Sequence, residues 1–235
     1  MWLWLTAVHM GIRILAAVRD LDPPAGGAEM SLATLLKGVT CNGPYIENAP
    51  DYTPLESETD DNEPSGWFVK VFQSSRRGEI TDLTKDSELD REVCNLPVED
   101  LWSGLAWRLR SRRTGKQHSW LQRQHLSKSN RAFAKWLTPL LAAEVEAAEN
   151  SGDALLGISQ LHWSAGAAKA FSDAGIPYLA FVRDELQFNH PRLYRNSLEG
   201  AAAVCGAGQG LLKQIRGVFN IQYGEHVPLP VNYAE

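Results

Sequence analysis

The stretch Ile12–Val18 (IRILAAV) is apolar except for Arg13, and it constrains the fold more than any other feature of the chain. A strand without alternating polarity must be covered on both faces, which a parallel sheet flanked by helices provides. Asp22-Pro23-Pro24 follows and turns the chain, since each proline fixes φ and has no N–H for a ladder. After Gly26-Gly27, the segment Ala28–Lys37 places Met30, Leu32, Leu35 and Leu36 on roughly one helical face. A buried strand thus feeds a Gly-Gly turn that opens a helix. The first amides of such a helix lack intrahelical partners and sit in the positive end of its dipole. Two readings of the glycines stand side by side: a backbone that a phosphate can approach closely, or simply a tight strand-to-helix turn.

A chain of 235 residues with 44% apolar content is long enough for about six strands with their helices in a single domain. Its net charge of −5 argues against general nucleic-acid binding. Cys41, Cys94 and Cys205 are far apart and odd in number, so neither a zinc site nor a disulfide framework is expected, and a reducing cytoplasm is the simplest setting. Met1–His9 is apolar but far shorter than the ~20 residues that span a bilayer. It also lacks a positive leader and a small-residue cleavage site. Residues 1–10 therefore read as an extension ahead of a domain over 11–235, with an interfacial anchor carried by Trp2 and Trp4 as the alternative.

Beyond the first helix, residues 42–66 hold four prolines and an acidic cluster from Glu56 to Glu63, the composition of a flexible solvated loop. Trp67–Gln73 (WFVKVFQ) reads as a strand. Asp82–Asp100 is polar and mostly acidic, and then the charge reverses: no acidic residue occurs between Leu101 and Ala143. Residues 101–136 form a basic excursion with Trp102, Trp107, Trp120 and Trp136 interleaved. Three readings compete: a basic face that neutralises the acidic stretch, peripheral contact with an anionic membrane through Arg108, Arg110, Arg112 and Arg113, and a nucleic-acid groove. The last is the least favoured.

From Thr138 onward strands and helices alternate. Thr138-Pro139 is read as the N-cap and first turn of a helix over Leu140–Asn150 that stops at Gly152. Ala154–Ile158, Tyr178–Val182 and Ala201–Cys205 read as buried strands. Ser164 is placed as the cap of a helix over Ala165–Ala174 that ends at Gly175, and a further helix lies around Gly210–Arg216. Units about 25 residues apart describe a doubly wound, mostly parallel, Rossmann-like sheet. Ligands bind such a sheet beyond the carboxyl ends of its strands. The segments Gly26–Glu29, Ser159–Trp163 and Arg183–Glu185 are expected to meet there.

Several of these stretches, in order, resemble the N-terminal, acceptor-side domain of a family-4 glycosyltransferase, an enzyme with two Rossmann-like domains facing a cleft. The resemblance rests on Asp22-Pro23-Pro24-Ala25-Gly26-Gly27-Ala28-Glu29 after the first strand. It continues through Asp153, His162, Gly175-Ile176-Pro177 and Arg183-Asp184, and closes at Pro230-Val231-Asn232. It covers Ile12–Lys37 and roughly Ala132–Asn232. It implies transfer of a sugar from a nucleotide-sugar donor to a hydroxyl acceptor with retention, assisted by the donor phosphate and with no metal or other cofactor. By resemblance, Asp184, Arg183 and His162 are the candidate catalytic residues, and Gly26, Gly27, Ala28 and Glu29 the candidate phosphate- or substrate-binding loop.

Two departures qualify what it implies. Arg183 stands where the family has a His, and no Glu is followed by another eight residues on, so the family's donor-site Glu pair is missing. The expectation is the acceptor half of a transferase, cytoplasmic or peripheral on the inner membrane face, with the donor-binding domain supplied elsewhere. The alternative is a non-catalytic binding or partner module of the same fold. A third reading, an NAD(P)-binding protein, follows from Cys205-Gly206-Ala207-Gly208-Gln209-Gly210 opening a helix. There, however, Leu211 occupies the third glycine's place in GxGxxG, and too little chain follows.

Overall fold

The computed structural model describes residues 11–19, 31–36, 67–75, 90–95, 120–161, 165–183 and 194–227. The strands are β1 (Ile12–Arg19), β2 (Trp67–Ser75), β3 (Asp90–Asn95), β4 (Ala154–Leu161), β5 (Tyr178–Val182), β6 (Ala203–Gly206) and β7 (Gly224–His226). They make one sheet in the order β3-β2-β1-β4-β5-β6-β7, and every neighbouring pair is parallel. The described helices are α1 (31–36), α2 (Trp120–Ser151), α3 (Ala165–Asp173), α4 (Arg195–Glu199) and α5 (Gln209–Val218). The doubly wound parallel fold expected from the sequence is the one observed. The order of strands reverses between β1 and β4, and such a reversal is where open α/β sheets leave a crevice for ligands.

Each face of the sheet has its own core. On one face, Leu15, Ala17, Phe72, Ala180, Val182 and Val204 pack under Phe133, Leu137 and Leu141 of α2, Phe171 of α3, and Leu212 and Ile215 of α5. On the other, Ile14, Ala16, Val18, Val69, Val71, Ile158, Phe181 and Cys205 pack under Leu32 and Leu36 of α1. The apolar runs Ile14–Val18 of β1 and Tyr178–Val182 of β5 are explained by these two covers, each large buried side chain contributing about 1.5–3 kcal/mol. Gly166 permits the closest approach, since a Cβ there would stand 1.9 Å from the Asn130 carbonyl oxygen of α2, and a Cβ at Gly157 would stand 2.9 Å from the Phe171 ring and from Tyr178 Cβ.

One expectation is overturned. Pro139 does not begin a helix; it lies inside α2, which runs unbroken from Trp120 to Ser151. Phe133, Leu137 and Leu141 and the buried Glu144 and Ala148 form a stripe at helical spacing that continues through this position. Packing of that stripe on the sheet outweighs the hydrogen bond that proline removes. Thr138, expected as a cap, instead donates its hydroxyl to the Ala134 carbonyl at 2.8 Å. Gly152 and Gly175, at φ 76° and 70°, do end α2 and α3. Their left-handed backbone lets Gly152 N and Asp153 N reach the Ala148 carbonyl, and Ile176 N the Phe171 carbonyl.

Two short strands escaped the sequence reading. β3 lies within the acidic stretch and β7 at the opposite edge. β4 also runs on through Ser159 to Leu161, so Ser159 is a buried strand residue and not part of a loop. Residues 1–10, the 42–66 loop, residues 101–119 of the basic excursion and Ser164 lie outside the described residues.

An ionic cluster fastens α2 to the amino ends of the strands. Lys70 Nζ on β2 lies 2.7 Å from Glu144 Oε1, and Arg13 Nη1 on β1 lies 3.7 Å from Glu144 Oε2. Arg13 Nε donates to Asp153 Oδ2 at 2.6 Å, as does the Ser151 hydroxyl at 2.6 Å. Those two bonds, the Ser151 hydroxyl foremost and then Arg13, hold the Asp153 carboxyl below its usual range.

Candidate functional site

Three of the described strands under α1, namely β2, β4 and β5, carry a polar residue at or just past their carboxyl ends. β2 reads apolar at Val69, Val71 and Phe72 and then reaches Gln73; β4 reaches Gln160 after Ile158; β5 is followed by Arg183 after Phe181 and Val182. Successive residues of a strand alternate faces. Gln73 therefore shares the α1 face with Val69 and Val71, Gln160 with Ile158, and Arg183 with Phe181. Register agrees, since Val18 pairs with Gln73, Gln160 with Phe181, and Phe181 with Cys205. All three polar residues are buried, at 1%, 7% and 7% exposure, and so is Ser31 at the start of α1, at 2%. Buried polar side chains need a purpose, because desolvating them is costly. Here they gather on one face at one rim of the sheet.

Arg183 is the best defined of them. Its Nη1 donates to the Val227 carbonyl at 2.8 Å, and the guanidinium lies 4.9 Å over the Phe181 ring. Nε and Nη2 are shielded from solvent and have no hydrogen-bond partner among the described residues. Burial pulls its pKa below the ordinary value, with the neighbouring Cys205 acting in the opposite sense. A guanidinium remains a cation near neutrality all the same, so Arg183 can bind charge but cannot shuttle protons. The Cys205 thiol is pushed up by its own burial, against the pull of Arg183, and is a poor nucleophile in this setting. The Ser31 hydroxyl, like the two guanidinium nitrogens, is buried without a partner among the described residues.

Of the site residues expected from the sequence, Arg183 alone is described. Gly26, Gly27, Ala28, Glu29, His162 and Asp184 lie outside the described residues. Ser31 and Gln73 were missed, and Gln160 fell inside the expected segment Ser159–Trp163 without being singled out, although WFVKVFQ, ALLGISQ and YLAFVR each carry a polar residue at the same end. The glycines after β6 divide in role. Gly206 lets Leu212 approach, since a Cβ there would stand 2.7 Å from its Cγ, whereas Gly208 and Gly210 have open space around them. Gly208 is the extended N-cap residue of α5. This turn serves the α5 face of the sheet, opposite Arg183.

A separate groove of about 630 Å³ runs between α2, α3 and α4 and is lined by Asn130, Arg131, Lys135, Gly166, Lys169 and Asp173 among others. Lys169 is paired with Asp173 at 2.6 Å. None of the rim residues reaches it. Among the described residues there is no cluster of three His, Cys, Asp or Glu side chains able to hold a metal, and no helix long and apolar enough to cross a membrane.

This chain is similar to several solved structures. A Phytolacca americana UGT2, solved with UDP-2-fluoro-glucose and pterostilbene, matches with a TM-score of 0.51 at 11% identity, over 96% of this chain and 56% of that one. The likeness is one of fold. A trehalose-6-phosphate structure from E. coli, with UDP-2-fluoro-glucose bound, gives a TM-score of 0.47 at 13% identity, over 86% of this chain and 41% of that one. MurG of Acinetobacter baumannii gives 0.41 at 11%, over 95% and 47%. The chain thus spans about half the length of each. No protein-family model matches it, and no curated protein does at a significant level.

Proposed function

We propose that this domain forms one side of the cleft of a nucleotide-sugar-dependent retaining glycosyltransferase, the side that receives the sugar acceptor. The observation that supports it most is the seven-stranded parallel sheet, with its likeness to about half of a structure that holds a UDP-sugar analogue. A partner domain, on the same or a second polypeptide, binds the donor in this reading. The family-4 resemblance adds the roles. Gly26, Gly27, Ala28 and Glu29 contribute the loop at the first crossover, Asp184 accepts a hydrogen bond from the acceptor hydroxyl, and His162 is a further candidate catalytic residue. Nucleophilic attack assisted by the donor's own phosphate needs neither a protein base nor a metal, so Arg183 in place of a His is compatible with transfer.

The second reading is a binding or partner module without catalysis, and Arg183 itself favours it, because the substitution keeps binding chemistry and gives up acid–base chemistry. The two separate in one assay. Labelled UDP-sugars are incubated with a panel of hydroxyl acceptors, using this chain alone and together with its donor-binding half. Transfer that requires both halves supports the transferase. Acceptor binding without transfer under any combination supports the module. Binding of NADH in place of sugars would remove both. Peripheral membrane contact through Arg108, Arg110, Arg112 and Arg113 is part of the same proposal. Co-flotation with anionic vesicles at low salt and release at high salt is its expected signature.

A further inference from the structure

The Arg183 fork points to a substrate class, and this inference rests on the acceptor-side reading above. We infer that the α1-face rim takes a polyhydroxylated small molecule carrying a phosphate or carboxylate, with the anion seated on Arg183. Three observations combine. The guanidinium is fixed at one corner, where Nη1 donates to the Val227 carbonyl and the group lies over Phe181. This leaves the edge made by Nε and Nη2, whose two N–H bonds run parallel and match two oxygens of a carboxylate or phosphate. That edge is buried and unpartnered, and among the described residues no carboxylate is paired with it. An isolated buried cation of this kind is costly, and an arriving anion offsets the cost.

The rest of the rim suits hydroxyl groups. Gln160 is on the adjacent strand, Gln73 is further along the same face, and Ser31 Oγ is a buried hydroxyl without a partner on the helix that covers that face. Parallel strands are about 4.8 Å apart, so from β5 back across β4 and β1 to β2 the rim spans roughly 14 Å, long enough to hold a sugar phosphate along it. Amide and hydroxyl groups each donate and accept, which is what sugar hydroxyls require. The anion has two sources in a transferase: the acceptor itself, or the donor's diphosphate. The acceptor-side reading assigns it to the acceptor.

The experiment is isothermal titration of the intact chain with glucose 6-phosphate, glucuronate, glucose, UDP and inorganic phosphate, repeated on Arg183→Gln and Arg183→Lys. The two anionic sugars are expected to bind, glucose far more weakly, and UDP not to compete. Arg183→Gln should lower affinity for the anionic sugars roughly tenfold to a hundredfold while leaving glucose unchanged; Arg183→Lys should restore part of it. Amide NMR spectra of both variants confirm that the fold is kept. Equal binding of glucose and glucose 6-phosphate, or anionic affinity unchanged in Arg183→Gln, overturns the inference; the latter result would mean that a carboxylate of the chain itself occupies the fork. Competition by UDP overturns the assignment to the acceptor. Sugar transfer to neutral acceptors that is indifferent to Arg183→Gln would leave the transferase reading in place and remove this one.

Discussion

At the scale of single residues, the two ends of the sheet use charge in opposite ways. Asp153 at the amino end is satisfied by the Ser151 hydroxyl and Arg13, and its side chain is 18% exposed. Its folded pKa is lowered, so its stabilising contribution is complete above the unfolded value of about 4. It fades as pH falls through the lower folded value. Urea midpoints between pH 3 and pH 7 should show Asp153→Asn less stable than the parent above about pH 5, with the gap closing below about pH 4. A gap that stays constant with pH would contradict this. Arg183 at the carboxyl end is the counterpart left open. Its place was legible in the sequence, because an arginine directly after YLAFV has to sit at a strand tip. Its open edge was not legible, since that depends on Val227 and Phe181, which lie in other registers or beside it. Gln73 was hidden for a similar reason, since it reads as the last residue of an apolar strand; Gln160 lay within Ser159–Trp163, a segment expected at this rim, but only the pairing of four strands puts the two side chains on one face.

At the scale of elements, α2 carries the main lesson. Local rules gave Thr138-Pro139 as a helix start, and the long apolar stripe on the sheet overrode them. The proline is exposed, and its missing N–H and ring contacts cost a helix interior about 3 kcal/mol. Pro139→Ala should therefore stabilise the chain by at least about 1 kcal/mol in chemical denaturation; a loss of stability would mean that α2 needs a bend at this point to follow the sheet. Glu144 tests the other attachment of α2. Its carboxylate meets Lys70 and Arg13 while only 9% exposed. Removing one side of a buried ion pair leaves an uncompensated charge, so Glu144→Ala should lose about 3 kcal/mol, and a loss near zero would show that the pair is solvated. Apolar strands buried on both faces were readable because they have no polar side. β3, with the sequence DREVCN, and the three-residue β7 were not, because edge strands need less apolar cover and carry polar residues.

At the scale of the whole molecule, one rim of the sheet is closed by ion pairs, and the proposal assigns the other to a ligand. Arg13, Lys70, Glu144 and Asp153 close the amino ends with mutual ion pairs. Ser31, Gln73, Gln160 and Arg183 line the carboxyl ends on the α1 face. This asymmetry is what the proposed acceptor role depends on, and the parallel topology enforces it, since every strand presents the same end to the same side. The direct measurement is hydrogen–deuterium exchange of the chain with and without saturating glucose 6-phosphate. Slowed exchange at residues 31–36, at the ends of β2, β4 and β5 and at residues 226–227, with the amino-end residues 11–13 and 152–155 unchanged, is the predicted result. Protection confined to the amino ends or to the groove between α2, α3 and α4 would contradict it.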